Sequence, residues 1–409
     1  MTTTAEAVPL DQVELPYLDT STDEYIQQPF ECVRRVREAD PRGGRLMRTR
    51  QGIETMSYDA GRVLLSDKRI ASPDAGHFKS MGAGPLLVEY LSNGKMTALQ
   101  GERHRIHRRL LTPPLAAGAV ERQRDMYNDA AKKLRGRWVE QGECDLVGDF
   151  SHSYPVEILC RALGVPVEDV PIFERVTLDF ALINSFPLEP VVPRIEAALQ
   201  SLSDYTAALI ERRKDDKRGD FIDELVEYER TGVMTTREIV WSLVTLLQAA
   251  HFTTRNQTVS IVRALIESGT WDAVAADPSL VPAAVEEGMR YYPVILGITR
   301  VIAEEGVVLD GVELPVGTIV RWNPMGTTRD PDKFEDPDRF DLAREVKARM
   351  PFGWGLHKCL GQHMARSDME VAIEVLTRTL KRPRITEPVT MVATGALWGP
   401  GALHLAFDV

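Results

Sequence analysis

The longest unbroken pattern of apolar and polar positions runs over residues 236–268, with helical spacing and no proline inside. Read as one helix it is roughly 50 Å long, enough to cross a whole domain. It closes a mostly helical stretch, 102–268, interrupted at Pro113-Pro114, Gly142, Pro166 and the proline-rich 187–193. Upstream, residues 1–20 read as an extended arm and 23–40 have helical spacing. Segments 45–48 and 53–58 read as a strand pair joined across Gln51-Gly52. After Arg300 the period changes. VVLDGVELPVGTIV predicts a hairpin turning at Asp310-Gly311, and the irregular RDPDKFEDPDRFD follows. A last helix beginning at Cys359 carries Leu360, Met364, Met369, Ile373, Leu376 and Leu380 along one face. Strand-like segments end the chain. The expectation is a mainly α fold with minor β, and one domain, 21–409, behind the arm, since no shift in composition marks a linker.

Composition narrows the class. With 409 residues, 44% of them hydrophobic, the chain can bury a large core. A net charge of -11 argues against nonspecific nucleic-acid binding. The four cysteines, Cys32, Cys144, Cys160 and Cys359, form no CxxC pair, which argues against zinc and disulfide frameworks. The N-terminal residues lack the charged and apolar regions of a signal peptide, and no run of about 18 apolar residues occurs. The expectation is a cytoplasmic protein with no membrane anchor.

Cys32, Cys144 and Cys160 read as small buried hydrophobes. Cys359 differs, because Gly353 and Gly355 precede it and allow a tight loop. Placed at a helix N-terminus, its sulfur would be stabilised as a thiolate by the dipole and free amides. Such a thiolate is a candidate axial ligand for heme iron. Glu287 and Arg290, three apart on a helix, share a face, as do His104 and Arg108 in a basic segment of an otherwise acidic chain.

The string PFGWGLHKCLG resembles the heme-binding loop of the cytochrome P450 family, FxxGxHxCxG, and Phe352, Gly355, His357, Cys359 and Gly361 match every fixed position. The resemblance spans nearly the whole chain and implies a soluble, bacterial-type monooxygenase. Its fold would be a triangular prism of helices with a minor sheet, heme b lying between the long distal helix and the cysteine loop. By the same resemblance Cys359 is the proximal ligand, Phe352 packs beside it, and His104, Arg108, Arg300 and His357 hold the heme propionates. Glu287, Arg290 and Arg339 form a structural lock behind the heme. Ferredoxin and ferredoxin reductase are implied as electron donors, with Arg103, Arg105, Arg109 and Lys358 as a positive docking face, and the protein is expected to be a monomer.

The distal helix departs from the family. Ala249-Ala250-His251-Phe252-Thr253 stands where a small residue, glycine, any residue, an acid and threonine are expected, so Ala250 replaces glycine and Phe252 replaces the acid thought to relay protons. Three readings stay open. Phe252 points away while Thr253 acts with water or a substrate group; His251 or another residue takes over the relay; or the enzyme uses peroxide or performs an atypical oxidation. The resemblance also implies an apolar substrate pocket, with Leu86, Leu87, Val88, Phe180, Ile183, Leu247, Ile295, Leu296 and Leu397 as candidates, suited to a hydrophobic or aromatic small molecule. No fixed charge stands out there to anchor a carboxylate or amine. Hydroxylation, epoxidation and oxidative dealkylation are the implied reactions, in secondary or xenobiotic metabolism. A non-catalytic heme-thiolate binding protein is the alternative from another class.

Overall fold

The computed structural model describes residues 7–345 and 350–409. Its axis is one helix, Thr236–Glu267, about 48 Å long at 1.5 Å per residue. A capping box starts it: the Thr235 hydroxyl accepts from the Glu238 amide, and the Glu238 carboxylate accepts from the Thr235 amide. Nothing inside the segment breaks the backbone ladder. Buried residues such as Ile239, Leu243, Val259, Ile261 and Leu265 lie on several faces, so the helix is packed nearly all round. The helices Tyr154–Leu163, Val170–Ala181, Val192–Arg213, Val281–Tyr291 and Gln362–Thr379 all pack against it.

Strands gather at the periphery. A five-stranded sheet runs in the order Leu46–Thr49, Gly52–Thr55, Ile319–Trp322, Ile298–Ile302, Ile70–Ala71. The expected hairpin, Val307–Leu309 with Val312–Leu314, turns through Asp310 and Gly311, both at positive φ. Val8–Pro9 of the arm pairs parallel with its second strand. Lys381–Ile385, His404–Asp408 and Glu143–Asp145 form a third sheet, and Met391–Thr394 with Leu397–Pro400 a fourth.

Local expectations needed three corrections. The segment 23–40 is two helices, Asp23–Gln27 and Pro29–Ala39, because Pro29 lacks an N–H and forces Gln28 out of the helical region. The strand expected to reach Tyr58 stops at Thr55, and a helix capped by Ser57 begins at Tyr58. The last long helix begins at Gln362, after the cysteine rather than at it.

Candidate heme and oxygen site

The cysteine loop is shaped by two left-handed glycines, Gly353 and Gly355. A Cβ on Gly355 would stand 2.3 Å from the Leu65 carbonyl oxygen, so no other residue fits there without displacing the backbone. One turn of 3-10 helix, Gly355–His357, carries the chain to Cys359, whose amide donates to the Phe352 carbonyl at 3.0 Å. The Phe352 ring lies beneath the Arg366 guanidinium, 4.4 Å away.

Cys359 does not have the environment expected of it. The helix starts three residues later, with Gly361 as its cap, so the sulfur meets the helix N-terminus through the Gly361 amide rather than sitting within the first turn. Burial raises the thiol above its ordinary range. The Gly361 amide and the positive charges of Arg108, Arg366 and Lys358 oppose that rise without cancelling it. A metal cation bound at such a sulfur favours the thiolate. Although deep, the residue keeps accessible surface, and a Cβ on the nearby Gly361 would meet no protein atom within 4 Å. The loop therefore borders an interior space.

Around that space lie buried polar groups without partners among the described residues. His104 is 1% exposed, yet neither ring nitrogen has a hydrogen bond, and the same holds for Nδ1 of His357, whose ring meets that of His104 edge-on at 4.8 Å. Burial, with Arg300, His104 and Arg108 nearby, pulls His357 down to about 3. Burial likewise pulls the Arg300 guanidinium down to about 10, and among the described residues that group donates only to the Thr299 carbonyl. Ser72, missed in the sequence, belongs with them. Its hydroxyl is buried and unpartnered, and the ladder that pairs Ala71 with Val301 brings Ser72 beside Arg300. Each such orphan costs about 1–3 kcal/mol if nothing meets it. Donors of this kind, with the Arg300 guanidinium among them and Arg108 nearby, suit a pair of carboxylates; with a sulfur ligand across a bare backbone, the set fits heme.

On the opposite side the central helix shows accessible surface at Ala249, Ala250 and Thr253, while Leu246, Leu247, His251 and Phe252 are buried. The Thr253 hydroxyl donates to the Ala249 carbonyl at 2.8 Å. Phe252, 2% exposed, sits in an apolar cluster with Ala181 and Leu397, flanked by Leu178 and Ile295. Its ring is buried in that cluster, whereas Ala249, Ala250 and Thr253 keep surface. The relay suggested for His251 has no support. Nε2 lies 2.8 Å from the His152 carbonyl and, in the neutral ring, carries the proton; Nδ1 lies 2.6 Å from the Thr177 hydroxyl, whose single proton is shared between this nitrogen and the Phe173 carbonyl at 2.7 Å. Burial lowers its pKa to about 3. Both nitrogens are engaged behind the helix.

The apolar candidates divide. Leu86, Val88 and Ile295 keep surface, and Leu296 and Leu397 keep 8% and 9%. Leu87, Phe180 and Leu247 do not line any open space: each is at most 1% exposed, and Phe180 packs edge-on against Tyr90. Ile183, at 3%, belongs with this core group.

The structural lock is present with one member changed. Arg290 donates to both oxygens of Glu287, at 2.9 and 2.6 Å, and to the carbonyls of Thr328, Pro337 and Arg339. The Arg339 side chain is exposed and pairs with Asp341. It is Arg344 that reaches Glu287, at 3.1 Å, joined there by the Asp341 amide. Arg339 takes part through its carbonyl alone.

A family model for cytochrome P450 matches residues 267–388, which contain both the Glu287–Arg290 pair and the cysteine loop. Cyclomarin C epoxidase CymV of Salinispora arenicola is 33% identical over 322 residues, covering 78% of this chain and 81% of the relative. The luteothin monooxygenase of Streptomyces thioluteus is 30% identical over 421 residues, 100% of this chain and 99% of its own. The chain belongs to the cytochrome P450 family. The crystal structure of CalO2, at 23% identity, covers 96% of this chain with a TM-score of 0.88 and shows the same fold. As a P450, the protein is a monooxygenase acting on small molecules with heme as its cofactor. Among the described residues no helix is long and apolar enough to cross a membrane.

Proposed function

We propose that this P450 inserts one oxygen atom from dioxygen into a hydrophobic small molecule of secondary or xenobiotic metabolism, with Cys359 as iron ligand and Thr253 as the distal hydroxyl. The observation that carries the residue assignment is the set of orphaned polar atoms on His104, His357 and Ser72, gathered with Arg300 beside a cysteine that borders the same space. Bound heme supplies the oxygen chemistry, and a thiolate ligand favours O–O cleavage. His104, Arg108, Arg300, His357 and Ser72 neutralise and orient the two propionates, and the Gly361 amide holds the sulfur. Thr253 can release the Ala249 carbonyl and hold a water or a proton at Oγ1. Leu86, Val88, Ile295, Leu296 and Leu397 offer apolar surface to substrate and exclude bulk water. Electrons come from a ferredoxin and its reductase in the cytoplasm; the exposed Arg105 and Arg109 near the cysteine side support an acidic partner.

Phe252 and His251 keep a second reading in view. Neither can deliver a proton to the space, so a peroxide-driven reaction remains the competing route. The reduced protein with carbon monoxide is expected to show the red-shifted thiolate Soret band, absent in Cys359→Ser; a band retained in that variant would overturn the assignment. Turnover with a surrogate ferredoxin system, compared with peroxide alone, separates the two routes.

A further inference from the structure

The loop joining helix Pro85–Asn93 to helix Gly101–Leu111 carries a lysine with no acidic partner among the described residues. Lys95 follows Gly94, which is pressed against the central helix: a Cβ on Gly94 would stand 2.2 Å from that of Trp241, and Thr245 Oγ1 donates to its carbonyl at 3.0 Å. Thr245, Ala249 and Thr253 recur every four residues along one face of that helix. The first is where the loop docks, and the other two border the interior space. The chain just before Lys95 is thereby fixed at Thr245, about 12 Å along the helix from Thr253.

Its ammonium has a ring and nothing else. Nζ lies 4.8 Å from the centroid of Phe78, and among the described residues no carboxylate pairs with it. The acids on the flanking helices are committed elsewhere: Glu89 to Arg237 and Trp241, Glu196 to the amides of Leu86 and Leu87, Glu238 to Arg103 and Thr235, and Glu102 to Arg105. The surroundings are dry enough that burial alone draws the lysine down to about 8, yet it keeps accessible surface, the combination also found at Cys359. One aromatic face recovers only part of what a buried cation loses on leaving water. An anion brought to the same place would form a charge-assisted hydrogen bond in a low-dielectric setting.

We propose that Lys95 is a specificity residue that binds a carboxylate on an otherwise apolar substrate, holding it at the far end of the distal space from Thr253. The proposal rests on the P450 reading above and deepens it, naming a fixed charge that the sequence did not reveal.

The test uses the purified holoenzyme and imidazoles carrying alkyl chains of stepped length, each made as the terminal carboxylic acid and as its amide. Iron ligation anchors every probe, so Soret titration reads affinity whatever the natural substrate. The expected result is one chain length at which the acid binds at least tenfold tighter than its amide. That preference should fall to about onefold in Lys95→Met and persist in Lys95→Arg. An acid-to-amide ratio near one at every length, or an acid preference unchanged in Lys95→Met and Lys95→Gln, would overturn the proposal. So would faster heme transfer to apomyoglobin from Lys95→Met than from wild type, because the lysine would then serve the cofactor. Failure of plain imidazole to shift the Soret band would instead bring down the heme-thiolate reading itself.

Discussion

The two sides of the interior space handle their polar groups in opposite ways. On the cysteine side, His104, His357, Ser72 and Arg300 are buried and lack protein acceptors able to satisfy them. On the central-helix side, His251 is satisfied at both nitrogens, Thr253 bonds its own helix, and Phe252 lies in an apolar cluster. The first arrangement suits a permanent anionic group. The second closes on itself, with accessible surface at Ala249, Ala250 and Thr253. Cofactor retention and folding should therefore depend on the first side, and proton supply and substrate choice on the second.

The largest effect is expected behind the cysteine loop. Glu287→Gln leaves Arg290 charged and buried, and breaking such a pair costs about 3–5 kcal/mol. Urea unfolding of the holoenzyme should show it, with heme lost in the same transition. The corrected lock is testable in the same assay. Arg344→Ala should shift the midpoint strongly, whereas Arg339→Ala, at an exposed pair, should change stability by less than about 0.5 kcal/mol. Equal effects would restore Arg339 to the lock and remove Arg344.

Heme retention comes next. Arg300→Met removes a buried guanidinium and keeps its stem, and loss of such an outer partner typically costs 10–100-fold in affinity. Heme transfer to apomyoglobin should accelerate by about that factor, while Phe252→Leu, on the other side, should leave the rate unchanged.

The contrast also explains what could be read from the sequence. The central helix was legible because its cap, its apolar spacing and its freedom from proline all point one way. The cysteine loop was legible because five residue types at fixed spacing each answer a steric or chemical demand. Arg344 was not, since in an irregular passage nothing tells a guanidinium that turns inward from one that lends only a carbonyl. Leu87 and Phe180 were misplaced because an apolar side chain looks the same whether it lines a pocket or fills the core. Lys95 and Ser72 owe their meaning to partners they lack, which only tertiary packing defines.

On the distal side, Thr253→Ala should leave heme content and the carbon monoxide band intact. The share of reducing equivalents that ends in product should fall by about tenfold, a modest case of lost proton management, with peroxide released in its place. Measuring hydrogen peroxide against product in a surrogate ferredoxin system reads this directly. Unchanged coupling would move the proton source to substrate or water alone, and unchanged peroxide-driven turnover beside it would favour the second route.

The smallest effect concerns His251, and its sign follows from burial. The folded protein holds this imidazole neutral down to about pH 3, whereas an unfolded histidine binds a proton near 6.5. Between those values the unfolded chain carries the extra proton, so this contribution is fully present above about pH 6.5 and is lost as pH falls through the window. From pH 7.5 to 5.5 the loss is about 1.4 kcal/mol, one pH unit below the unfolded value at about 1.4 kcal/mol per unit. Gln at this position can donate to the His152 carbonyl and accept from Thr177 without titrating. Urea midpoints of wild type and His251→Gln at the two pH values should therefore differ in their acid sensitivity by that amount. Were the two equally sensitive, His251 would be charged in the folded protein, and the relay set aside above would return as a candidate.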